Sequence, residues 1–191
     1  MVDRVPRPSE TKQRILDTAR ELFARKGVPK TSLQEIADQL GITKPALYYH
    51  FSSREELIRS IMQPLIDDGD AYVREQEQRS SVEPRALLEG YFDFNIRHRA
   101  DIMLVLTELT TLAELGLVER VLTWRERLCT LLYGPDASLE DATRAVIALG
   151  GLQDCTVQFP HVPVDELREA AVAGALATLG LDSRASGGSA G

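Results

Sequence analysis

The side chains best suited to direct recognition of a ligand lie together in one short segment near the N-terminus. Lys44 supplies a cation, Tyr48 and Tyr49 supply phenolic hydroxyls, and His50 supplies an imidazole. Side chains of these types hydrogen-bond to phosphate oxygens and to the edges of nucleic-acid bases. The segment therefore predicts a DNA-contacting surface. Its residues are Lys44, Pro45, Ala46, Tyr48, Tyr49 and His50.

Two short helices must position this surface. Apolar residues recur at three- and four-residue steps from Leu33 to Leu40, and Gly41 then ends that helix. In the second helix Leu47 and Phe51 stand four residues apart and are expected to face inward, against an apolar stripe at 15–23. Two short helices joined by a tight turn form a helix-turn-helix, whose second helix enters the DNA major groove.

The starts of these helices carry capping residues. Thr31 or Ser32 is expected to cap the first helix, with Glu35 in capping-box position, and Thr43 to cap the second. Free N–H groups and the helix dipole at such ends favour a phosphate oxygen. Thr31, Ser32 and Thr43 are therefore further candidates for DNA contact, in addition to their capping role. Ser52 and Glu55 predict another capping box, which opens a long helix.

The charge of the chain is distributed unevenly. The net charge is −7, but residues 1–60 carry eleven Lys and Arg against eight Asp and Glu, a net of +3. The remaining residues carry a net of −10. A basic N-terminal part on an acidic body is the asymmetry expected when only one end approaches a polyanion.

The rest of the chain is also patterned for helices, and no alternating strand pattern occurs. Helical periodicity recurs in residues 84–98, 101–115, 117–132, 139–158 and 164–181. Pro64 is expected to kink or split the helix that follows Ser53. These patterns predict an all-α protein of about nine helices. The predicted regions are an arm at 1–9 and a tail at 182–191, both disordered, a helix-turn-helix domain at 10–57, and a ligand-binding and dimerisation body at 58–181.

The N-terminal third of the chain resembles the tetracycline-repressor (TetR) family of bacterial transcription regulators. The resemblance implies that the surface described above lines a recognition helix, and that Arg54 pairs with a DNA phosphate. It also implies a small-molecule cavity and a dimer interface in the body, and hence a repressor released from a palindromic operator by an effector. The residues that carry the resemblance are Arg14-Ile15-Leu16, Ala19, Leu22-Phe23, Gly27, Thr31-Ser32, Ile36-Ala37, Gly41, Thr43-Lys44, Leu47-Tyr48-Tyr49-His50-Phe51 and Ser53-Arg54-Glu55-Glu56-Leu57.

Within the body, one stretch mixes apolar walls with a few polar groups, as small-molecule pockets do. This composition agrees with a small apolar or amphipathic effector. Each residue could equally belong to an ordinary packed core, and the sequence leaves both interpretations open. The candidate ligand-binding residues are Tyr91, Phe94, Asn95, His98, Met103, Thr107, Thr110 and Trp124.

The last two helices carry small and apolar residues at regular steps, which would let another helix pack closely. We expect a homodimer built on these helices, and packing of the two helices on each other within one chain is the alternative. The candidate interface residues are Val146, Leu149, Gln153, Leu167, Ala171, Gly174 and Thr178.

Other classes of function find little support in the sequence. It holds no Walker-type loop and no Cys/His metal spacing, so we expect neither an enzyme nor a bound cofactor or metal. No stretch is apolar over the roughly 20 residues that cross a bilayer, and the two cysteines resemble reduced core residues. A cytoplasmic protein with no membrane partner is expected. The alternatives are a regulator controlled by a protein partner or by no effector, and an all-helical enzyme or carrier.

Overall fold

The computed structural model describes residues 8–181, which form ten α-helices and no strand, so the predicted all-α class is confirmed. The predicted arm and tail lie outside this range, except that Pro8 and Ser9 are helical because proline is tolerated in a first helical turn. The helices are α1 (Pro8–Lys26), α2 (Leu33–Leu40), α3 (Lys44–His50), α4 (Arg54–Gln78), α5 (Pro84–Arg97), α6 (Arg99–Thr107), α7 (Leu109–Glu114), α8 (Leu117–Tyr133), α9 (Leu139–Gln158) and α10 (Val164–Thr178).

The chain divides into two compact units. The first comprises residues up to 66 together with 104–118, and the second comprises 67–103 together with the residues from 119 onward. Helices α4, α6 and α8 contribute residues to both units. None of the described helices is both long enough and apolar enough to span a membrane.

The first unit is built around the apolar face of α1. Ile15, Ala19, Leu22 and Phe23 are buried, as the helical periodicity predicts. Gly27 ends α1 with a φ of 82°, a left-handed conformation that glycine adopts without strain. A Cβ at Gly27 would lie 2.8 Å from the carboxylate of Glu108, so the turn has no room for a side chain.

Glu108 explains why the predicted helix at 101–115 is two helices, α6 and α7, and why the total is ten rather than nine. Its backbone leaves helical geometry, with φ −122° and ψ 34°. Its carboxylate accepts a hydrogen bond from the Val28 N–H at 2.9 Å. The Arg59 guanidinium also donates to the Leu115 carbonyl at 3.0 Å. These long-range bonds attach α7 to the turn after α1 and to α4.

Helix α4 is continuous through Pro64, so the predicted split does not occur. A proline inside a helix removes one backbone hydrogen bond and crowds the preceding turn. In that turn the Ile61 carbonyl accepts a hydrogen bond from the Arg20 guanidinium at 2.8 Å. A side chain from α1 therefore bonds to the α4 backbone close to the proline, which itself is exposed.

In the second unit, α5, α9 and α10 pack on one another, and α4 and α8 meet at a glycine. A Cβ at Gly69 would lie 2.4 Å from the ring of Trp124, so the indole occupies the place of a side chain. The Trp124 N–H donates to Asp70 at 2.8 Å. Gly90 on α5 likewise leaves room for the ring of Tyr72, which would lie 2.9 Å from a Cβ at this position. In both contacts, the absence of a side chain at glycine lets an aromatic ring from another helix pack closely.

Candidate functional site

Helix α3 presents one buried side chain and an otherwise exposed surface. Leu47 is 0% exposed, and Phe51 at the C-cap is equally buried, as predicted. Tyr49 is 81% exposed and Tyr48 is 43% exposed. Lys44, Pro45 and Ala46 are exposed and His50 is half-buried, so the side chains predicted to contact DNA share the open side of the helix.

The N-terminus of each of the helices α2 and α3 is held by a cap. The hydroxyl of Ser32 accepts the Glu35 N–H at 3.1 Å, and that of Thr43 accepts the Ala46 N–H at 3.3 Å. Gly41 adopts φ 68°, which reverses the chain after α2. These local interactions fix where α2 begins and ends and where α3 begins.

Thr31 differs from its predicted role. It is 2% exposed, and its hydroxyl donates to the Gly27 carbonyl at 3.0 Å. Ser32, which is exposed, is the residue that caps α2. The Thr31 side chain therefore closes the loop between α1 and α2 and is not offered to a ligand.

The connection from α3 to α4 places a cation beside the recognition surface. The cap of α4 is Ser53, which accepts the Glu56 N–H at 3.1 Å, so the predicted Ser52–Glu55 box is wrong by one residue. The Glu56 carboxylate accepts the hydroxyl and the N–H of Ser52, and these bonds lower the pKa of Glu56. Arg54 is half-buried, and its Nη2 has no hydrogen-bond partner in the part of the chain that the structure describes.

Five of the eight predicted effector residues form one buried cluster in the second unit. Phe94 is its centre: its ring contacts those of Tyr91, His98 and Trp124 with centroids 5.1–6.4 Å apart, and Asn95 is buried on the same helix. Met103 is 39% exposed. Thr107 and Thr110 belong to the first unit and are exposed.

The polar groups of this cluster bond within the protein. The His98 ring lies 2.9 Å from Asp68, and its hydrogen bond, with help from Arg97, lowers the pKa of that carboxyl. The Asn95 amide donates to the Tyr91 carbonyl at 2.7 Å, and the Tyr91 hydroxyl donates to Gln153 at 3.1 Å. Burial raises the pKa of Tyr91. These contacts are those of a packed core, which was the alternative interpretation of the sequence.

An open groove of about 400 Å³ lies elsewhere in the second unit, between α8, the following loop and α9. None of the eight predicted effector residues lines it. Sequence reasoning missed this groove because its residues come from two helices and a loop, and only the tertiary structure brings them together. The lining residues are Leu122, Arg125, Glu126, Cys129, Thr130, Gly134, Pro135, Ala137, Ala142 and Val146.

The predicted interface stripe on α9 and α10 is largely packed within the chain. Leu149, Gln153, Leu167 and Ala171 are buried, whereas Val146 and Gly174 are exposed and Thr178 is half-buried. The helical period was right, but these four residues face the packed side of the helices. The solvent-facing side carries other apolar and small residues, namely Ile147, Gly151, Ala170, Ala173 and Ala177.

Two further residues of functional interest could not be found from the sequence. Glu108 and Asp68 are single carboxylates in helical patterns, and their partners Val28 and His98 lie 80 and 30 positions away. Among residues 8–181, no three His, Cys, Asp or Glu side chains are grouped to hold a metal ion.

Comparison with known proteins identifies relatives of both the N-terminal part and the whole chain. The model of the tetR family of bacterial regulatory proteins matches residues 15–61. The chain is 31% identical over 155 residues to the transcriptional activator FasR of Mycolicibacterium smegmatis, covering 78% of this chain and 69% of FasR. It is 33% identical over 75 residues to the regulator TtgR of Pseudomonas putida, but that match covers only 36% of TtgR.

The fold is also found among solved structures. A transcriptional regulator from Aquifex aeolicus superposes with a TM-score of 0.70 at 25% identity. The match covers 86% of this chain and 96% of that one, so it includes the body as well as the helix-turn-helix.

The burial of α3 yields a prediction about stability. Leu47→Ala should lower the free energy of unfolding by about 2–5 kcal/mol, because it leaves a cavity under the helix. Lys44→Ala and Tyr48→Phe should each change it by less than about 0.5 kcal/mol, because both side chains face solvent. Urea denaturation measures all three. Equal losses in the three variants would contradict the orientation of α3.

Proposed function

Because this chain belongs to the tetracycline-repressor (TetR) family of bacterial regulators, we propose that it represses transcription as a homodimer on an inverted-repeat operator, until a small effector releases it. That it is a helix-turn-helix transcriptional regulator follows from the family. The operator symmetry, the dimer, the effector and the direction of control are the proposal. The observation that carries it is the open side of α3, which is held over buried Leu47.

Recognition of DNA would divide between base and phosphate contacts. Lys44, Tyr48 and Tyr49 project from the exposed side of a helix, where they would reach base edges in the major groove. The exposed caps Ser32 and Thr43 stand at helix N-termini, where backbone N–H groups attract phosphate oxygens. The half-buried Arg54 would turn its guanidinium outward to a phosphate, since a guanidinium matches phosphate geometry. His50, Pro45 and Ala46 complete the proposed surface.

Dimerisation would use the solvent-facing sides of α9 and α10. These sides expose Ile147 and Gly151 on α9, and Ala173 and Ala177 on α10. Small side chains let helices approach closely, and two helices from each protomer can form a four-helix bundle about a two-fold axis. Gly174 and Thr178 remain in the proposed interface, whereas Val146 lines the groove between α8 and α9 and is left out of it. The four buried residues of the predicted set would support this interface from inside the chain; they are Leu149, Gln153, Leu167 and Ala171.

Helix α4 offers a route from an effector to the DNA-binding surface. The end that holds Arg54 and the part that holds Asp68 and Asp70 belong to one uninterrupted helix. Asp68 bonds to His98 on the cluster side, and Asp70 bonds to Trp124. An effector that rearranged this packing would displace α4, and with it the recognition helix. A shift of a few ångströms would misalign two helices that must read half-sites at a fixed spacing.

A regulator that answers to a protein partner, or to no effector, is the second candidate. It is supported by the completeness of the hydrogen bonds around Phe94, which leave that cluster packed. The enzyme or carrier alternative must account for relatives that are named as transcriptional regulators. A screen for turnover with common metabolites would test it.

The first prediction concerns the symmetry of the DNA site. Selection of bound genomic fragments should yield an inverted repeat with half-site centres about 34–36 Å apart, or further apart if two dimers share the DNA. Binding should weaken steeply with salt, because each neutralised phosphate releases counterions. Arg54→Gln should weaken binding to all sequences and reduce the salt slope by about 1. Arg79→Gln, which removes an exposed charge from the body, is the matched control.

Selected sites without two-fold symmetry would contradict the dimeric arrangement of the recognition helices. An Arg54→Gln protein with unchanged affinity and salt slope would remove Arg54 from the proposed phosphate contacts.

The second prediction concerns the dimer. Ala173→Glu should convert the dimer to a monomer, because it places a bulky charge in a close helix contact. Ala71→Glu changes an exposed alanine on α4 in the same way and should leave the dimer intact. Sedimentation equilibrium distinguishes the two species. A dimeric Ala173→Glu protein would show that the interface lies elsewhere.

The third prediction concerns the reciprocity of effector and operator. An effector identified by thermal-shift screening should bind more weakly when operator DNA is saturating, by the same factor by which it weakens DNA binding. A coupling free energy of about 1–3 kcal/mol is typical. Titration calorimetry with and without operator measures it. Equal effector affinities in both titrations would rule out induction, however tightly the effector binds.

A further inference from the structure

Arg125 on α8 forms no ion pair with any described residue, in contrast to several other arginines of the second unit. Arg120, Arg127, Arg144 and Arg168 each form an ion pair with a carboxylate. Arg125 instead donates from Nη2 to the neutral amide oxygen of Gln153 at 2.8 Å. Its guanidinium also interacts with the Tyr91 hydroxyl. Among residues 8–181 this half-buried side chain forms no ion pair, although Glu126 lines the same groove.

The Arg125 guanidinium lies in the open groove between α8 and α9. Arg125 reaches α9 at Gly150, where a Cβ would lie 3.8 Å from its Nη1. The groove volume of about 400 Å³ is within the range of small-molecule sites, which is about 300–1,000 Å³.

The other walls of the groove are mainly apolar. Leu122 on α8 is 58% exposed and Val146 on α9 is 49% exposed, so two aliphatic side chains face water at the groove. Ala142 and Pro135 add apolar surface. Cys129 also lines the groove, and burial raises the pKa of its thiol, which keeps the sulfur neutral. Covering these side chains with an aliphatic chain would remove apolar area from water.

We propose that this groove binds a small amphipathic carboxylate, with its head group on the Arg125 guanidinium and its apolar tail along Leu122, Cys129 and Val146. A guanidinium forms strong, charge-assisted hydrogen bonds with a carboxylate. The ligand should carry one negative charge, because the groove holds one arginine and because exposed Glu126 would repel a second anionic group. This site differs from the aromatic cluster around Phe94 and does not require that cluster to open.

Ligand binding in the groove would also change hydrogen bonds in the core of the second unit. The Gln153 oxygen accepts hydrogen bonds from both Arg125 and buried Tyr91. A carboxylate that pulls Arg125 away from Gln153 would leave the Gln153 oxygen hydrogen-bonded to the Tyr91 hydroxyl alone. The groove therefore offers the proposed effector a direct connection to the cluster, although ligand binding itself does not depend on the regulatory proposal.

The proposal can be tested on the full chain with decanoate as the probe. Calorimetry measures its affinity, and mass spectrometry follows iodoacetamide modification of Cys129, with Cys155 outside the groove as the internal reference. Decanoate should bind saturably and slow the modification of Cys129 but not that of Cys155. Decyltrimethylammonium, which has the same tail and the opposite charge, should do neither.

Matched variants separate the charge from the fold. Arg125→Gln should weaken decanoate binding by about tenfold or more, since a charged hydrogen-bond pair is lost. Arg125→Lys should retain part of the affinity. Arg127→Gln, which breaks the ion pair with Glu77 on the same helix, should leave the affinity unchanged. Glu126→Gln should strengthen binding, a gain that misfolding cannot produce.

Four results would overturn the proposal. They are no binding of decanoate, equal binding of decyltrimethylammonium, equal affinities of the Arg125→Gln and Arg127→Gln proteins, and protection of Cys129 that rises with protein concentration in the absence of any probe. The last result would mean that a second copy of the chain covers the groove. Decanoate binding that leaves operator affinity unchanged would support the groove and count against effector release, so the two proposals fail separately.

Discussion

The seven residues of α3 are too few to form a stable helix alone, because a helix of that length cannot repay the cost of its nucleation. What keeps α3 in place is the burial of Leu47, together with Phe51 just after it, under the helix and against the first unit. That burial determines which residues face outward. Lys44, Tyr48 and Tyr49 are exposed because Leu47 takes the buried side of the helix. The proposed DNA-binding surface therefore depends on the packing of Leu47, a residue that would not itself touch DNA.

The position of the helix-turn-helix also depends on a distant part of the chain, the break between α6 and α7. Glu108 fills the space that a side chain at Gly27 would occupy and accepts the Val28 N–H. The start of α2 is therefore positioned from two directions, by its own Ser32 cap and by a carboxylate on the α6–α7 break. A substitution that moves α6 or α7 would therefore displace the loop that precedes the helix-turn-helix.

The second unit satisfies its buried polar groups in two different ways. Around Phe94, the groups of His98, Asn95 and Tyr91 bond to protein partners, which favours a closed core. At the groove, Arg125 bonds to the neutral amide of Gln153, forms no ion pair with the described part of the chain, and is surrounded by mainly apolar walls. A ligand carboxylate would give this guanidinium a partner of opposite charge. This contrast is why we assign a ligand to the groove, although the composition of the sequence pointed to the cluster.

The sequence by itself determined what depends on neighbouring residues. Periodicity identified the helices and the all-α class, the caps Ser32 and Thr43 and the Gly41 turn identified the helix-turn-helix, and the spacing of Leu47 and Phe51 oriented α3. All these interactions lie within a few positions along the chain. The tertiary structure alone decided the break at Glu108, the burial of Thr31, the packed side of α9 and α10, and the groove at Arg125. Those outcomes depend on which distant surfaces meet, and helical periodicity carries no information about the partner that a given face will find.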